Sequence, residues 1–269
     1  MSKSPKESSE PSQSQHRFGR VTEAFFGVAK KVKFYRLLGW RDGHGMKVTD
    51  IGCGRGDFLD FAQKRGWNTM GFEFDAETAR QAARNSQLNI MLAEELPKQM
   101  ASQAGSIDLI TMLHVLEHLD DPDEALRACR SGLSYRGTLI IEVPNPLSIA
   151  ARISPSTWLG WDPPNHRFHF SCKALCRALA DAGFRPVVVK GGSVVYELGF
   201  AADAYNDRIL RKTQALFSLL KGGDKYPPVR QWIPVIAILP LTLPLAVCTV
   251  LVERLARQSG TIRVIAKPK

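Results

Sequence analysis

From residue 46 onward, short apolar runs alternate with segments whose apolar residues recur every three or four positions. The runs predict strands over 46–51, 68–73, 88–92, 107–113, 137–143 and 184–190. The periodic segments predict helices over 57–65, 76–85, 122–133 and 171–183. Alternation with short connections implies a parallel sheet with helices on both faces. Ahead of it, 18–38 reads as a helix with Val21, Phe25, Val28, Val32 and Leu38 on one side and Lys30, Lys31 and Lys33 on the other. Such a helix either covers a sheet edge or closes over a bound ligand. After Ser193 the rhythm breaks. An amphipathic helix is expected around 204–220, a Gly/Pro break at 222–228, then twenty uncharged residues over 233–252, and a last strand over 261–266.

Composition changes this picture at the ends. Residues 1–16 contain no aliphatic side chain after Met1 and are read as a disordered tail. No apolar stretch follows the start, so no signal peptide is expected. Five cysteines give no disulfide framework and fit a reducing compartment. Cys172 and Cys176 lie one helical turn apart, but no histidine or second cysteine pair stands at zinc-like spacing. The net charge of +10 is unevenly spread: +6 over residues 1–48, −4 over 49–204 and +8 over 205–269. A nucleic-acid enzyme would carry its positive charge around the active face. Here the basic residues, including Lys221, Lys225, Arg230, Arg254 and Arg257, flank the apolar run, which points to an anionic lipid surface and not to nucleic acid.

The candidate chemistry begins where the first strand meets three alternating glycines, Asp50-Ile51-Gly52-Cys53-Gly54-Arg55-Gly56. Glycines let the chain turn sharply and let a ligand approach the backbone. A dinucleotide site spaces its glycines differently, because a pyrophosphate must reach the helix end. The present spacing, with Asp50 before it, suits a ligand carrying an ammonium, as the methionine end of S-adenosylmethionine does. Glu73, ending the second strand, is placed to accept hydrogen bonds from both hydroxyls of a ribose, with Phe74 beside the adenine and Asp75 a weaker choice. Ala93 and Glu94 follow the third strand and are assigned to the adenine amino group. Leu113 and His114, at the carboxyl edge of the fourth strand, are assigned to the cofactor as well.

These stretches together resemble the class I S-adenosylmethionine-dependent methyltransferases. The nearest group is the bacterial methyltransferase domain 23 group, related to the ubiquinone-biosynthesis O-methyltransferases. The resemblance rests on Asp50–Gly56, Gly71-Phe72-Glu73, His114-Val115-Leu116-Glu117-His118, residues 137–146, His166-Arg167-Phe168-His169-Phe170-Ser171 and Ala182-Gly183-Phe184. It implies an α/β, Rossmann-like, seven-stranded, mostly parallel sheet with helices on both faces and an antiparallel last strand. A methyltransferase domain over 17–192 and 261–269 would then carry an inserted apolar helical segment over 193–260. In the quinone-methylating relatives a cluster of acids with a histidine after the fourth strand can hold a divalent metal. Only Glu117 and His118 match here, so no metal ligand is assigned.

Methyl transfer from a sulfonium is an in-line displacement, in which alignment contributes about 7–11 kcal/mol. A hydroxyl acceptor gains further from a base, typically about 10²–10⁴-fold. His118 is the first candidate base and His166, in an aromatic, proline-stiffened loop, the second; a backbone-bonded structural role is the competing reading of each. The acceptor is read as small or lipid-linked, and the location as cytoplasmic, on the cytoplasmic face of the inner membrane. Pro234, Pro240 and Pro244 argue against a plain transmembrane helix over 233–252, and a crossing would strand the last β-strand on the wrong side. A shallow hairpin or interfacial helix avoids this, with contact through 205–257; a cap buried on the domain or on a second copy is the alternative. An NAD-dependent oxidoreductase and a non-catalytic relative of the fold are the competing functions. Oligomeric state is not legible.

Overall fold

The computed structural model describes residues 31–86, 88–162, 165–211, 216 and 229–269. The tail over 1–16, most of the helix expected over 18–38, the prolines 163–164 and the break at 222–228 lie outside the described residues. The chain divides into two compact units, Met1–Arg41 and Asp42–Lys269. In the first, residues 31–37 are helical and Tyr35 stacks on Trp40 at 4.9 Å between ring centres.

The second unit is built on one seven-stranded sheet. Its strands are β1 (Lys47–Ile51), β2 (Asn68–Glu73), β3 (Ile90–Leu92), β4 (Ile107–Leu113), β5 (Leu133–Pro144), β6 (Phe184–Lys190) and β7 (Thr261–Pro268), in the order β3-β2-β1-β4-β5-β7-β6. β7 runs antiparallel to β5 and β6, and the other pairings are parallel. Helices α1 (Asp57–Gln63), α2 (Ala76–Ser86), α3 (Leu96–Ser102), α4 (Pro122–Gly132), α5 (Ile149–Ile153) and α6 (Cys172–Asp181) fill the crossovers. Ile51, Phe72, Ile110, Met112, Leu139, Ile141 and Val264 form one buried core. Each such side chain stabilises the fold by roughly 1.5–3 kcal/mol. The strand order reverses between β1 and β4, so a crevice opens at their carboxyl ends, where open α/β sheets bind ligands.

Two sequence expectations shift. β5 starts at Leu133, because Leu133 pairs with Ile107 ahead of the bulge while the polar Tyr135 and Arg136 face solvent. Of the helix expected around 204–220, residues 212–215 and 217–220 lie outside the described residues; residues 204–210 belong to α7 (Val194–Leu210), which starts ten residues earlier and buries Phe200, Ala201 and Ala204 together with Glu197, Asp203, Asn206 and Asp207. Polar residues on its inner face hid its true start from a hydrophobic periodicity.

The apolar run forms one helix, α8 (Val229–Leu255), which continues through Pro234, Pro240 and Pro244. The sequence expectation that these prolines interrupt the run is corrected. Pro240 and Pro244 both face outward, so the hydrogen bonds they remove lie away from the packed side. The inward side is held by Val235, Thr242, Ala246, Thr249, Val250 and Glu253. Thr242 donates to Asn206 (3.1 Å), Tyr205 and Thr249 share a hydrogen bond (2.8 Å), and Glu253 accepts from the Ala150 amide (3.1 Å). Tertiary packing of this kind outweighs intrinsic propensity.

Candidate active site

The loop after β1 forms the first wall. A Cβ on Gly54 would meet no atom within 4 Å and the residue sits at φ +56°, so the loop backbone is open to a ligand there. Gly52 is the opposite case: at φ +72°, its Cβ would fall 2.2 Å from Val115 Cγ2. That contact presses the segment after β4 directly onto the glycine loop. Asp50, buried at the end of β1, accepts a 2.6 Å hydrogen bond from Thr111 Oγ1. Burial, reinforced by the Asp50 and Glu73 carboxylates, pushes the Cys53 thiol up to about 12.

Glu73 turns toward the loop. Its Oε2 accepts from the Gly54 amide at 2.6 Å, and its Oε1 from the amides of Phe74 (2.8 Å) and Asp75 (3.2 Å). The Phe74 ring is half exposed beside it. Asp75 is engaged elsewhere, with Oδ1 accepting from Thr78 N at 2.8 Å at the start of α2. Ala93 and Glu94 lie in a short helical turn, Ala93–Glu95, after β3, with the Glu94 side chain exposed.

The second wall follows β4. Leu113 ends the strand, and His114 adopts φ +58°, a left-handed conformation that costs an L-residue about 1–2 kcal/mol. Its amide is held by Glu142 O at 2.8 Å, and its ring lies between two carboxylates: Nε2 is 3.2 Å from Glu142 Oε1 and Nδ1 is 3.6 Å from Glu117 Oε1. Burial opposes the imidazolium, but hydrogen bonds and charge from Glu117 and Glu142 outweigh it and raise the group to about 9. Tyr196 of α7 places its ring 5.0 Å from that of His114.

Glu142 also takes two hydrogen bonds from Arg263 of β7, at 2.8 Å from Nε and 2.5 Å from Nη2. The residues assigned from the sequence did not include Glu142, Arg263 or Tyr196. The available signal was one charge in each of two otherwise apolar strands, 139–143 and 261–266. Arg263→Lys keeps the charge but gives up the planar fork. The expected loss of stability is about 1.5–3 kcal/mol, the worth of one hydrogen bond to a charged group, read by denaturant unfolding.

His118 and His166 come together, with ring centres 4.5 Å apart. The loop carrying His166 is pinned to the turn after β4 by Arg167 N and Phe168 N, which donate to Glu117 O at 2.8 and 3.1 Å. His118 Nδ1 meets Asn165 O at 3.0 Å and His166 Nδ1 meets Gly160 O at 2.8 Å. Carbonyl oxygens only accept, so each Nδ1 carries a proton, and in the neutral ring each Nε2 presents a lone pair. The backbone-bonded role and the base role read from the sequence are therefore compatible in one residue.

Sheet order, the open glycine loop and the acid ending β2 define the class: a Rossmann-like methyltransferase fold. The chain belongs to the methyltransferase domain family, whose model matches residues 23–189, more than half of its length. It is similar to the ubiquinone biosynthesis O-methyltransferase of Cupriavidus pinatubonensis, at 31% identity over 116 residues covering 40% of this chain and 47% of that one. The protein of the same name from Erwinia tasmaniensis is 35% identical over 105 residues, covering 38% and 43%. The chain thus matches about half the length of these curated relatives. Among solved structures, a SAM dependent methyltransferase from Archaeoglobus fulgidus shares the fold with a TM-score of 0.55 at 20% identity, over 93% of this chain and 99% of that one. A geranyl diphosphate C-methyltransferase from Streptomyces coelicolor, solved with Mg2+, geranyl diphosphate and S-adenosyl-L-homocysteine, gives 0.54 at 14% identity, over 89% and 81%.

Proposed function

We infer that the protein transfers a methyl group from S-adenosylmethionine to an oxygen of a small or lipid-linked acceptor at the cytoplasmic face of a membrane. The observation that carries the reading is the Glu73 carboxylate, ending β2 and turned onto an open glycine loop. The cofactor fits this chain: Glu73 would take the ribose hydroxyls, and Phe74, Ala93 and Glu94 the adenine. Asp50, Gly52, Cys53, Gly54 and Gly56, with Leu113 and His114, would line the methionine side. S-adenosylmethionine supplies the activated methyl group; the chain supplies alignment and a proton acceptor. The relatives named ubiquinone biosynthesis O-methyltransferases support oxygen as the attacked atom. Calorimetry with S-adenosylmethionine tests binding, and mass spectrometry of lipids and small metabolites with and without the gene tests the acceptor by a one-methyl difference.

His118 and His166, each with a bare Nε2, are the candidate bases. His118→Ala and His166→Ala should both retain cofactor binding, and at least one should lose turnover by about 10²-fold or more. Normal turnover in both would remove the assignment.

Membrane contact is supported by the outward side of α8. Ile233, Ile236, Leu241, Leu243, Leu245, Val247, Leu251 and Val252 are all exposed, while Val235, Thr242, Ala246, Thr249, Val250 and Glu253 lie inside. The stretch Ile233–Leu255 is long and apolar enough to cross a bilayer, with 28% of its most apolar window buried. β6 and β7 pair directly, so the insertion over 193–260 leaves and re-enters the domain side by side. A single crossing would separate paired strands; an interfacial helical pair does not. Arg254 is not free for headgroups, being bonded to Glu197 (2.8 Å) and Gly192 O (3.1 Å), whereas Arg257 is exposed. The side chains of Lys221, Lys225 and Arg230 lie outside the described residues.

A further inference from the structure

The segment 193–260 joins the sheet at two seams. Gly191 and Gly192 carry the chain from β6 into α7, and Ser259 and Gly260 lead it from α8 into β7. The seams interlock. A Cβ on Gly191 would overlap Ser259 Oγ, and one on Gly192 would overlap both Thr261 Oγ1 and the Glu142 carboxyl carbon. Gly192 N donates to Thr261 Oγ1 at 3.0 Å, and Arg254 Nη2 donates to Gly192 O at 3.1 Å. Thr261 Oγ1 in turn donates to Glu197 Oε1 at 3.1 Å. The other oxygen of Glu197 accepts from Arg254 Nε at 2.9 Å and lies 2.8 Å from Nη2. Burial pushes the Glu197 carboxyl up, and Arg254 and Thr261 draw it back.

One turn of α7 leads from this ring of bonds to the cofactor crevice. Glu197 N donates to Ser193 O at 3.0 Å, closing the turn. Ser193 N donates to Glu142 Oε1 at 3.3 Å, the same oxygen that lies 3.2 Å from His114 Nε2. Tyr196, on that turn, sets its ring against His114. His114 holds a left-handed conformation, and its neighbour Val115 presses on Gly52 of the glycine loop. Close-packed interiors transmit a displacement instead of absorbing it.

We propose that Arg254 and Glu197 are positioning residues for methyl transfer: by locking the first turn of α7 they hold His114 and Val115, and through them the glycine loop, in the arrangement that takes the cofactor. Both act through Ser193, Tyr196 and Glu142. The inference rests on reading the crevice as the S-adenosylmethionine site. The segment 193–260 is then part of the reacting unit as well as its means of attachment. That role accounts for an ion pair at a seam that apolar side chains could hold as firmly.

Arg254→Ala in the full chain should weaken S-adenosylmethionine binding by about 2–30-fold in calorimetry. Arg254→Lys should fall between it and the wild type, because lysine keeps the charge without the fork. If Arg254→Ala fails to fold, Glu197→Gln decides, since it keeps the shape and removes the charge that Arg254 grips. Thr242→Val is the control for a merely structural contact. Thr242 is buried on the same helix and bonded to Asn206, about 18 Å along α8 from Arg254. Its loss should lower the unfolding midpoint in denaturant and leave cofactor affinity at the wild-type value. Nuclear magnetic resonance without cofactor gives a second readout. The His114 ring signals, assigned by their loss from His114→Ala, should shift in Arg254→Ala and Glu197→Gln and stay in place in Thr242→Val. Wild-type affinity in both seam variants, an equal loss of affinity in Thr242→Val, or unmoved His114 signals would overturn the proposal. Shifted His114 signals in a protein whose wild type binds no S-adenosylmethionine would instead sink the cofactor reading.

Discussion

Glu73→Ala is expected to weaken S-adenosylmethionine binding by about 10²–10⁴-fold in calorimetry of the full chain. A carboxylate facing a ribose accepts two charge-assisted hydrogen bonds, each worth about 1.5–3 kcal/mol, and each 1.4 kcal/mol is about tenfold in affinity. Glu73→Gln should fall between the wild type and Glu73→Ala, because the amide keeps one acceptor oxygen and loses the charge. The same carboxylate accepts from the Gly54 amide, so circular dichroism and thermal unfolding must show that the loop change leaves the domain folded. Asp75→Ala is the discriminating control. The Thr78 hydroxyl and amide hold the Asp75 carboxyl below its ordinary range, and its place is at the start of α2. Losing it should leave cofactor affinity near that of the wild type. Wild-type affinity in Glu73→Ala, or its loss in Asp75→Ala instead, would move the sugar to a different acid and undo the assignment of the crevice.

What could be read from the chain was what neighbouring residues decide. The glycine loop, the acid ending β2 and the alternation of strands and helices are local patterns, and each lies where the spacing placed it. Partners far apart in sequence were not readable. Glu142 and Arg263 are 121 residues apart and meet only because β7 inserts antiparallel between β5 and β6. His114 was assigned to the cofactor from its strand end alone; its clasp between Glu117 and Glu142 depends on β4 and β5 lying side by side. The prolines of α8 misled for a related reason. A rule about helix interiors takes no account of which face carries the packing, and here the exposed Pro240 and Pro244 weaken only the outward side. The start of α7 was missed because Glu197, Asp203, Asn206 and Asp207 are buried against partners that a one-dimensional pattern does not contain.

Changing Leu241, Leu245 and Val252 to glutamate together is expected to release the protein from membranes, lowering its partition onto anionic vesicles by about 10³-fold or more. The three side chains form one exposed stripe of α8, about a quarter of a turn round the helix from the packed side that carries Thr242, Ala246, Thr249 and Glu253. Soluble helices keep most of their apolar surface inward; here Val235, Ala246 and Val250 share the inward side with two threonines and a glutamate, while many of the larger aliphatic residues lie outside, which fits an apolar outer neighbour. Burying one such side chain is worth roughly 1.5–3 kcal/mol, and the substitution removes three while adding charge against lipid. The inward contacts to Asn206 and Tyr205 are untouched, so the domain should unfold at the same denaturant concentration as the wild type. Cosedimentation of the full chain with vesicles rich in anionic lipid measures the effect. Salt alone should not release the wild type, because exposed Arg257 adds only a screened attraction to an apolar contact. A wild-type protein that stays in solution with vesicles present would remove lipid from the account. If it were also a dimer that the triple substitution dissociates, the outward side of α8 would belong to a second copy of the chain.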